Sequence, residues 1–197
     1  MTEPRDVLEY WFGPYGPEYP ADNSEMWWKK NPEVDAQIKE RFGAACAASS
    51  RGELAGWRET KEGRLAHIIL VDQMSRNMYR DDPRMFAQDD LGQELALLCL
   101  ISDQYYDGYH ERMFQYMPLM HAENVALQRL CVHLFEREMD MAQSEDVRKA
   151  AANNHDFAQR HEVIVARFGR FPHRNEVLGR TSTAQEIAFL KEPGSSF

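Results

Sequence analysis

Apolar residues recur along this chain at three- and four-residue intervals, and no segment alternates apolar and polar residues between turn signals. That pattern admits helices and excludes a sheet-built core. Val7, Leu8, Trp11 and Phe12 form one stripe, opened by Pro4 in a tolerated first-turn position and stopped by Gly13. Residues 13–23, dense in Pro and Gly, are expected to be irregular. Asn31 before Pro32 reads as a cap and first-turn proline, opening a helix through about Ser49 with Ile38, Phe42, Ala45 and Cys46 on one side. A helix from about Glu62 to Asn77 carries Leu65, Ile68, Ile69, Asp72 and Arg76, so two charges sit in its apolar stripe. Asp89 is placed to cap an apolar helix reaching about Gln104, the expected central element. One helix is expected from Met117 to Glu138, and another from a Ser144 cap to Phe168, closed by Gly169 and Pro172. Thr183 with Glu186 forms a capping box for a short helix through about Leu190. The fold class expected is all-α, in one domain over residues 1–197.

The 197 residues carry a net charge of −9, 43% hydrophobic and 28% charged residues, the balance of a globular chain with a sizeable core. The longest apolar run, Leu95 to Ile101, is far short of the roughly 20 residues of a spanning helix. Membrane insertion is therefore not expected. Acidic first residues without an apolar stretch argue against a signal peptide, so a cytoplasmic location is expected. From Arg160 to Arg180, however, five Arg face two Glu. One short basic segment in an acidic chain suits a small anion or a single carboxylate rather than duplex nucleic acid, which needs an extended basic face.

Three polar clusters interrupt the apolar stripes. Asp72, Gln73, Arg76 and Asn77 form the first, with Asp72 and Arg76 four residues apart on an inward face. In the second, His121, Asn124 and Gln128 share a face, while Glu123 points elsewhere unless the first turn is irregular. A helix N-terminus would favour a neutral His121 able to accept a proton. The third begins at His161, directed inward with Ile164 and Phe168, and continues through Arg167, Arg170, His173, Arg174 and Asn175 around a turn pinned by Gly169 and Pro172. Guanidinium forks on a rigid turn suit bidentate recognition of carboxylate or phosphate. The bland alternative for all three clusters is internal ion pairs that strut the helices together.

Other chemistries find little support. The three cysteines, Cys46, Cys99 and Cys131, sit among Ala or Leu and read as small buried residues. The seven histidines never fall three or four apart, and there is no HExxH, Walker A, GxGxxG or GxSxG. No metal or cofactor is implied.

The segments DVLEYWFG, WRETKEGRLAHIILVDQMSRNMYR, MPLMHAEN and HEVIVARFGRFPHRNEVLGRTST resemble the bacterial DUF924 family, a domain of unknown function, over nearly the whole chain. The resemblance implies an array of antiparallel helix pairs like that of the tetratricopeptide superfamily. The family's polar signature falls on Asp72, Gln73, Arg76 and Asn77, on His121 and Glu123, and on His161, Arg167, Arg170, His173, Arg174 and Asn175. This chain departs from it at Met74 and Ala122, the second change removing a hydroxyl beside His121. No reaction is implied.

Two functions follow as expectations. One is a groove in which the arginines, with Asn77 and Asn175, bind an anionic small molecule or acidic peptide. The other is a hydrolase or lyase on a small anionic substrate, with Asp72, His121 or Glu123 moving a proton.

Overall fold

The computed structural model describes residues 2–14, 22–102 and 106–197, all helical or irregular, with no strand among them. The chain divides into two compact units, Met1–Arg80 with Arg84–Pro118, and Asp81–Pro83 with Leu119–Phe197.

In the first unit, α1 (Pro4–Phe12) buries the Val7, Leu8, Trp11 and Phe12 stripe. Its Trp11 carbonyl accepts from Asn23 Nδ2 at 2.9 Å and Trp27 Nε1 at 3.0 Å, so α2 (Ser24–Trp28) is tied to the end of α1. Trp11, Phe12, Trp27 and Phe114 meet largely edge to face, with ring centroids 4.9 to 6.4 Å apart. Helix α3 (Pro32–Ser50) opens as expected, with the Asn31 side chain accepting from Glu33 N at 2.9 Å.

The centre of this unit is a continuous rod, α4 (Lys61–Ile68), a π-helical turn (Ile69–Met74) and α5 (Ser75–Met78), buried without interruption from Gly63 to Ser75. Thr60 caps its start, and a Cβ at Gly63 would collide with the Trp57 carbonyl oxygen. The expected central element, α6 (Asp89–Ile101), instead buries only one side and leaves Ile101 exposed. Gln88, not Asp89, stands at its cap position; Asp89 lies in the first turn, with its carboxylate directed to Arg76. The expected extension to Gln104 enters residues outside those described.

Where one helix was expected from Met117 to Glu138, there are two: α7 (Tyr109–Met120) and α8 (Val125–Met141). Two local side chains cause the break. Asn124 accepts from Ala126 N at 2.9 Å and Leu127 N at 3.3 Å, so the second helix starts there. Fully buried Gln128 then donates from Nε2 to the carbonyls of Met120 at 2.6 Å and Ala122 at 2.7 Å, satisfying acceptors that a continuous helix would have used.

The second unit is built on α8 and α9 (Glu145–Phe168), joined by three residues and packed side by side with Arg129 reaching Glu162. Ser144 caps α9, and Gly169 ends it at φ 71°, the left-handed conformation a glycine adopts without strain. A short 3-10 turn, Pro172–Arg174, leads to α10 (Ala184–Phe189) and its Thr183–Glu186 capping box. Ile164, Val165, Phe171 and Phe189 form the buried apolar cluster, with Val125 and Phe168 at its edge. Each such side chain contributes roughly 1.5 to 3 kcal/mol when fully buried.

Candidate functional site

The first polar cluster is closed within its own unit. The π turn places Asp72 at no solvent exposure, its Oδ2 accepting from Gln73 Nε2 at 2.6 Å and its Oδ1 3.2 Å from Arg76. The same guanidinium donates to the Asp72 carbonyl at 2.6 Å and to Asp89 Oδ2 at 3.0 Å. Burial opposes the charge on Arg76, but the two carboxylates outweigh it and raise its pKa. Asn77 donates to Asp35 at 2.8 Å, where Arg80 also binds. These side chains hold one another.

In the second unit the break between α7 and α8 turns Glu123 toward the turn after α9. Its Oε1 accepts from Phe171 N at 2.8 Å, and Arg180 closes on both carboxylate oxygens at 2.6 and 2.9 Å. Burial works against this charge, yet Arg180 and the Phe171 amide prevail and hold the carboxyl below its ordinary range. Arg180 also donates to Asn175 Oδ1 at 2.9 Å, and Asn175 in turn donates to Ser182 Oγ at 3.0 Å. Arg170 forks onto Glu186 at 2.6 and 2.8 Å, and this pairing, with the Thr183 amide, draws the Glu186 carboxyl down to about 2. Arg167 lies over Phe168 and Phe189, 4.7 and 5.5 Å from their ring centroids.

What gathers inside this clamp is a set of rings. His161, 5% exposed, meets Phe171 edge to face at 5.5 Å, with His121 6.4 Å away and Phe197 stacked on it at 3.6 Å. His173 stands 5.5 Å from the same Phe171 ring. Arg174 is buried, its guanidinium 4.6 Å over Phe171 and donating to the His121 carbonyl at 3.0 Å. His161 Nδ1 lies 2.7 Å from the Phe157 carbonyl, which can only accept, so Nδ1 carries the proton and Nε2 the lone pair. Burial, assisted by His121, brings His161 to about 3; burial and then Arg174 bring His173 to about 4. Both imidazoles are neutral at pH 7. His173 Nδ1 is buried without a hydrogen-bond partner among the described residues. Beside it opens a cleft of about 380 Å³ lined by His173, Glu176, Arg180, Ser182, Ser195 and Ser196.

The family model for a bacterial protein of unknown function, DUF924, matches residues 7–194. The chain belongs to the DUF924 family. A solved protein of unknown function from Agrobacterium tumefaciens is similar to it at 30% identity and a TM-score of 0.72, over 95% of this chain and 96% of that one. No curated protein matches it.

Among the DUF924 positions singled out in sequence, His161, His173 and Arg174 come together around Phe171 in the second unit, with the His121 ring 6.4 Å from that of His161. Glu123, Arg170 and Asn175 surround that cluster as occupied partners, whereas Arg167 is spread over a separate aromatic pair. Asp72, Gln73, Arg76 and Asn77 form their own network in the first unit. His121, Asn124 and Gln128 do not share a helix face, since the helix is broken between them. Sequence reasoning missed Arg180 and Phe197. Arg180 stood in the basic segment already singled out, but its partner is 57 residues away. Among the described residues, no three His, Cys, Asp or Glu side chains are grouped to hold a metal ion.

Proposed function

We propose that this DUF924 protein binds an anionic small molecule or the acidic end of a peptide at the His121, His161, His173 and Arg174 cluster. The observation that carries the reading is a buried guanidinium and two neutral imidazoles assembled on one aromatic ring, Phe171, with one of the imidazoles, His173, lining an open cleft together with Glu176 and Arg180. A positive charge in a low-dielectric setting attracts an anion more strongly than one in water, and the neutral His173 imidazole, whose Nδ1 has no hydrogen-bond partner among the described residues, can donate one without a charge of its own. Arg170, Arg180, Glu123 and Asn175 are on this account the frame that holds the turn. Charge and geometry both favour a compact ligand over a nucleic-acid duplex, because Arg170 and Arg180 are spent on internal carboxylates and no extended basic face is left among the described residues. A cytoplasmic location and a tetratricopeptide-like helical array are part of the same proposal.

A second reading, a hydrolase or lyase, is favoured by the grouping of three imidazoles, with His121 6.4 Å from His161 and both His161 and His173 5.5 Å from the Phe171 ring. An imidazole with a free lone pair can take a proton from a bound substrate, and His121 completes the set. Glu123 and Asp72, locked to arginines, fit this role less well.

The test is a thermal-shift series with inorganic phosphate, succinate, phenyl phosphate and an acidic peptide, on the wild type and His173→Gln. A probe at 100 times its Kd adds about 2.7 kcal/mol, which raises Tm by roughly 5 to 10 °C in a chain of this size. The rise is expected in the wild type and reduced in the variant. No rise from any probe overturns the reading, and disappearance of the bound probe on incubation favours the enzyme.

A further inference from the structure

Beyond α10 the chain turns back at Gly194, at φ 77°, and Ser195 is anchored by an Oγ donation to the Leu190 carbonyl at 3.2 Å. Ser195 and Ser196 then run along the cleft beside His173 and Arg180. The segment finishes with the Phe197 ring lying flat on the His161 imidazole, centroids 3.6 Å apart and planes 17° from parallel. This is the tightest ring contact among those around the cluster. His173 and Phe157 approach the same ring edge-on, at 6.2 and 6.4 Å.

Two features of this contact are unlike core packing. Phe197 keeps 47% of its surface in water, whereas Phe171 in the same cluster keeps none. The platform beneath it is, by contrast, rigid: His161 is 5% exposed and fixed by its bond to the Phe157 carbonyl. A fixed flat surface covered by a half-exposed flat ring is a stacking site whose occupant is reachable from solvent.

We infer that residues 193–197 are a displaceable strap, and that the Phe197 ring occupies the place of a planar aromatic group on the ligand, which is therefore an aromatic anion such as an aryl phosphate or aryl carboxylate. The inference rests on the anion-binding reading above and names its ligand class. When such a ligand enters, its ring replaces Phe197 on His161 and its anionic group faces Arg174 and His173, whose positions on Phe171 set the distance between the two subsites. With the strap in place the competent state is only partly populated, so the apparent Kd is the intrinsic one divided by the open fraction. A small anion without a ring does not compete for the His161 face.

The experiment compares phenyl phosphate with inorganic phosphate by calorimetric titration of the wild type, Phe197→Ala and Phe197→Trp. Phe197 is half exposed, so both variants are expected to fold, and their unfolding temperatures are checked against the wild type. Phenyl phosphate is expected to bind on the order of tenfold more tightly to Phe197→Ala, since the apparent Kd scales inversely with the open fraction, and more weakly to Phe197→Trp. Inorganic phosphate should bind all three alike. Equal phenyl phosphate affinity in all three forms overturns the strap while leaving anion binding in place. Absence of binding by either probe to every form overturns the anion reading itself, and the strap with it.

Discussion

Arg180 grips the Glu123 carboxylate through two nitrogens, at 2.6 and 2.9 Å, while the Phe171 amide donates to the same carboxylate at 2.8 Å. One ion pair thus connects the α7–α8 break, the turn after α9 and the strand of irregular chain before α10. Phe171, the ring on which the candidate site is assembled, is positioned by its own backbone through this pair.

Glu123→Ala should therefore cost about 2 to 3 kcal/mol, the loss of a partly buried charge pair together with an amide left without its acceptor. Glu123→Gln keeps an acceptor for the Phe171 amide and should cost about half as much. Urea unfolding of the two variants measures this. Equal stability in both, with binding or turnover lost, would instead place Glu123 in the chemistry.

Stability should fall with acid in a window set by the buried imidazoles. An unfolded histidine takes up its proton near 6.5, whereas His161 waits until about 3 and His173 until about 4, with His67 in the first unit also near 4. Between these limits the unfolded chain binds more protons, so stability rises with pH and is lost as pH falls from 6.5 toward 4. The slope is about 1.4 kcal/mol per pH unit for each histidine in mid-window. Glu186, lowered from 4.5 to about 2, works in the same direction only below 4.5. Unfolding free energies from pH 7 to 4.5 check the slope, which His173→Gln should flatten; a level profile contradicts the burial argument.

Gln128→Leu should cost about 2 to 4 kcal/mol, since the carbonyls of Met120 and Ala122 lose their donor inside the protein. Hydrogen exchange is expected to quicken around residues 119–126 before the rest of the second unit. Uniform exchange throughout would show that the break between α7 and α8 does not depend on this side chain.

In the first unit, Asp72→Ala leaves Arg76 with a single buried carboxylate, Asp89, and Gln73 without its acceptor. A cost of about 3 to 5 kcal/mol is expected in urea unfolding, because breaking a buried pair strands charge. Phenyl phosphate affinity should be unchanged at temperatures where the variant is folded. A lost affinity with retained stability would make Asp72 part of the site.

What could be read from the sequence was mostly local. The Asn31, Ser144 and Thr183 caps and the Gly169 stop each depend on a few neighbouring residues, and all four appear as expected. The π turn at Ile69–Met74 was not legible, because one extra residue in a turn that is buried all round leaves no change in the apolar pattern to mark it. Nor was the break at 121–124, whose cause, Gln128 reaching back to two carbonyls, is indistinguishable in sequence from a polar residue on a continuous helix. The three clusters were visible as polar interruptions of apolar stripes, but not the partners of their arginines. Arg170 with Glu186 and Arg180 with Glu123 are separated by 16 and 57 residues, and only the folded chain shows that these guanidinium groups are taken.

The central claim, anion binding at the imidazole cluster, is tested most directly by following the ring resonances of His121, His161 and His173 in proton–nitrogen correlation spectra during a phenyl phosphate titration. The account predicts saturable shifts at these three imidazoles with one common Kd, and no comparable change at exposed His133. Saturable binding that leaves all three unmoved, or no saturable change at any ring, would contradict it.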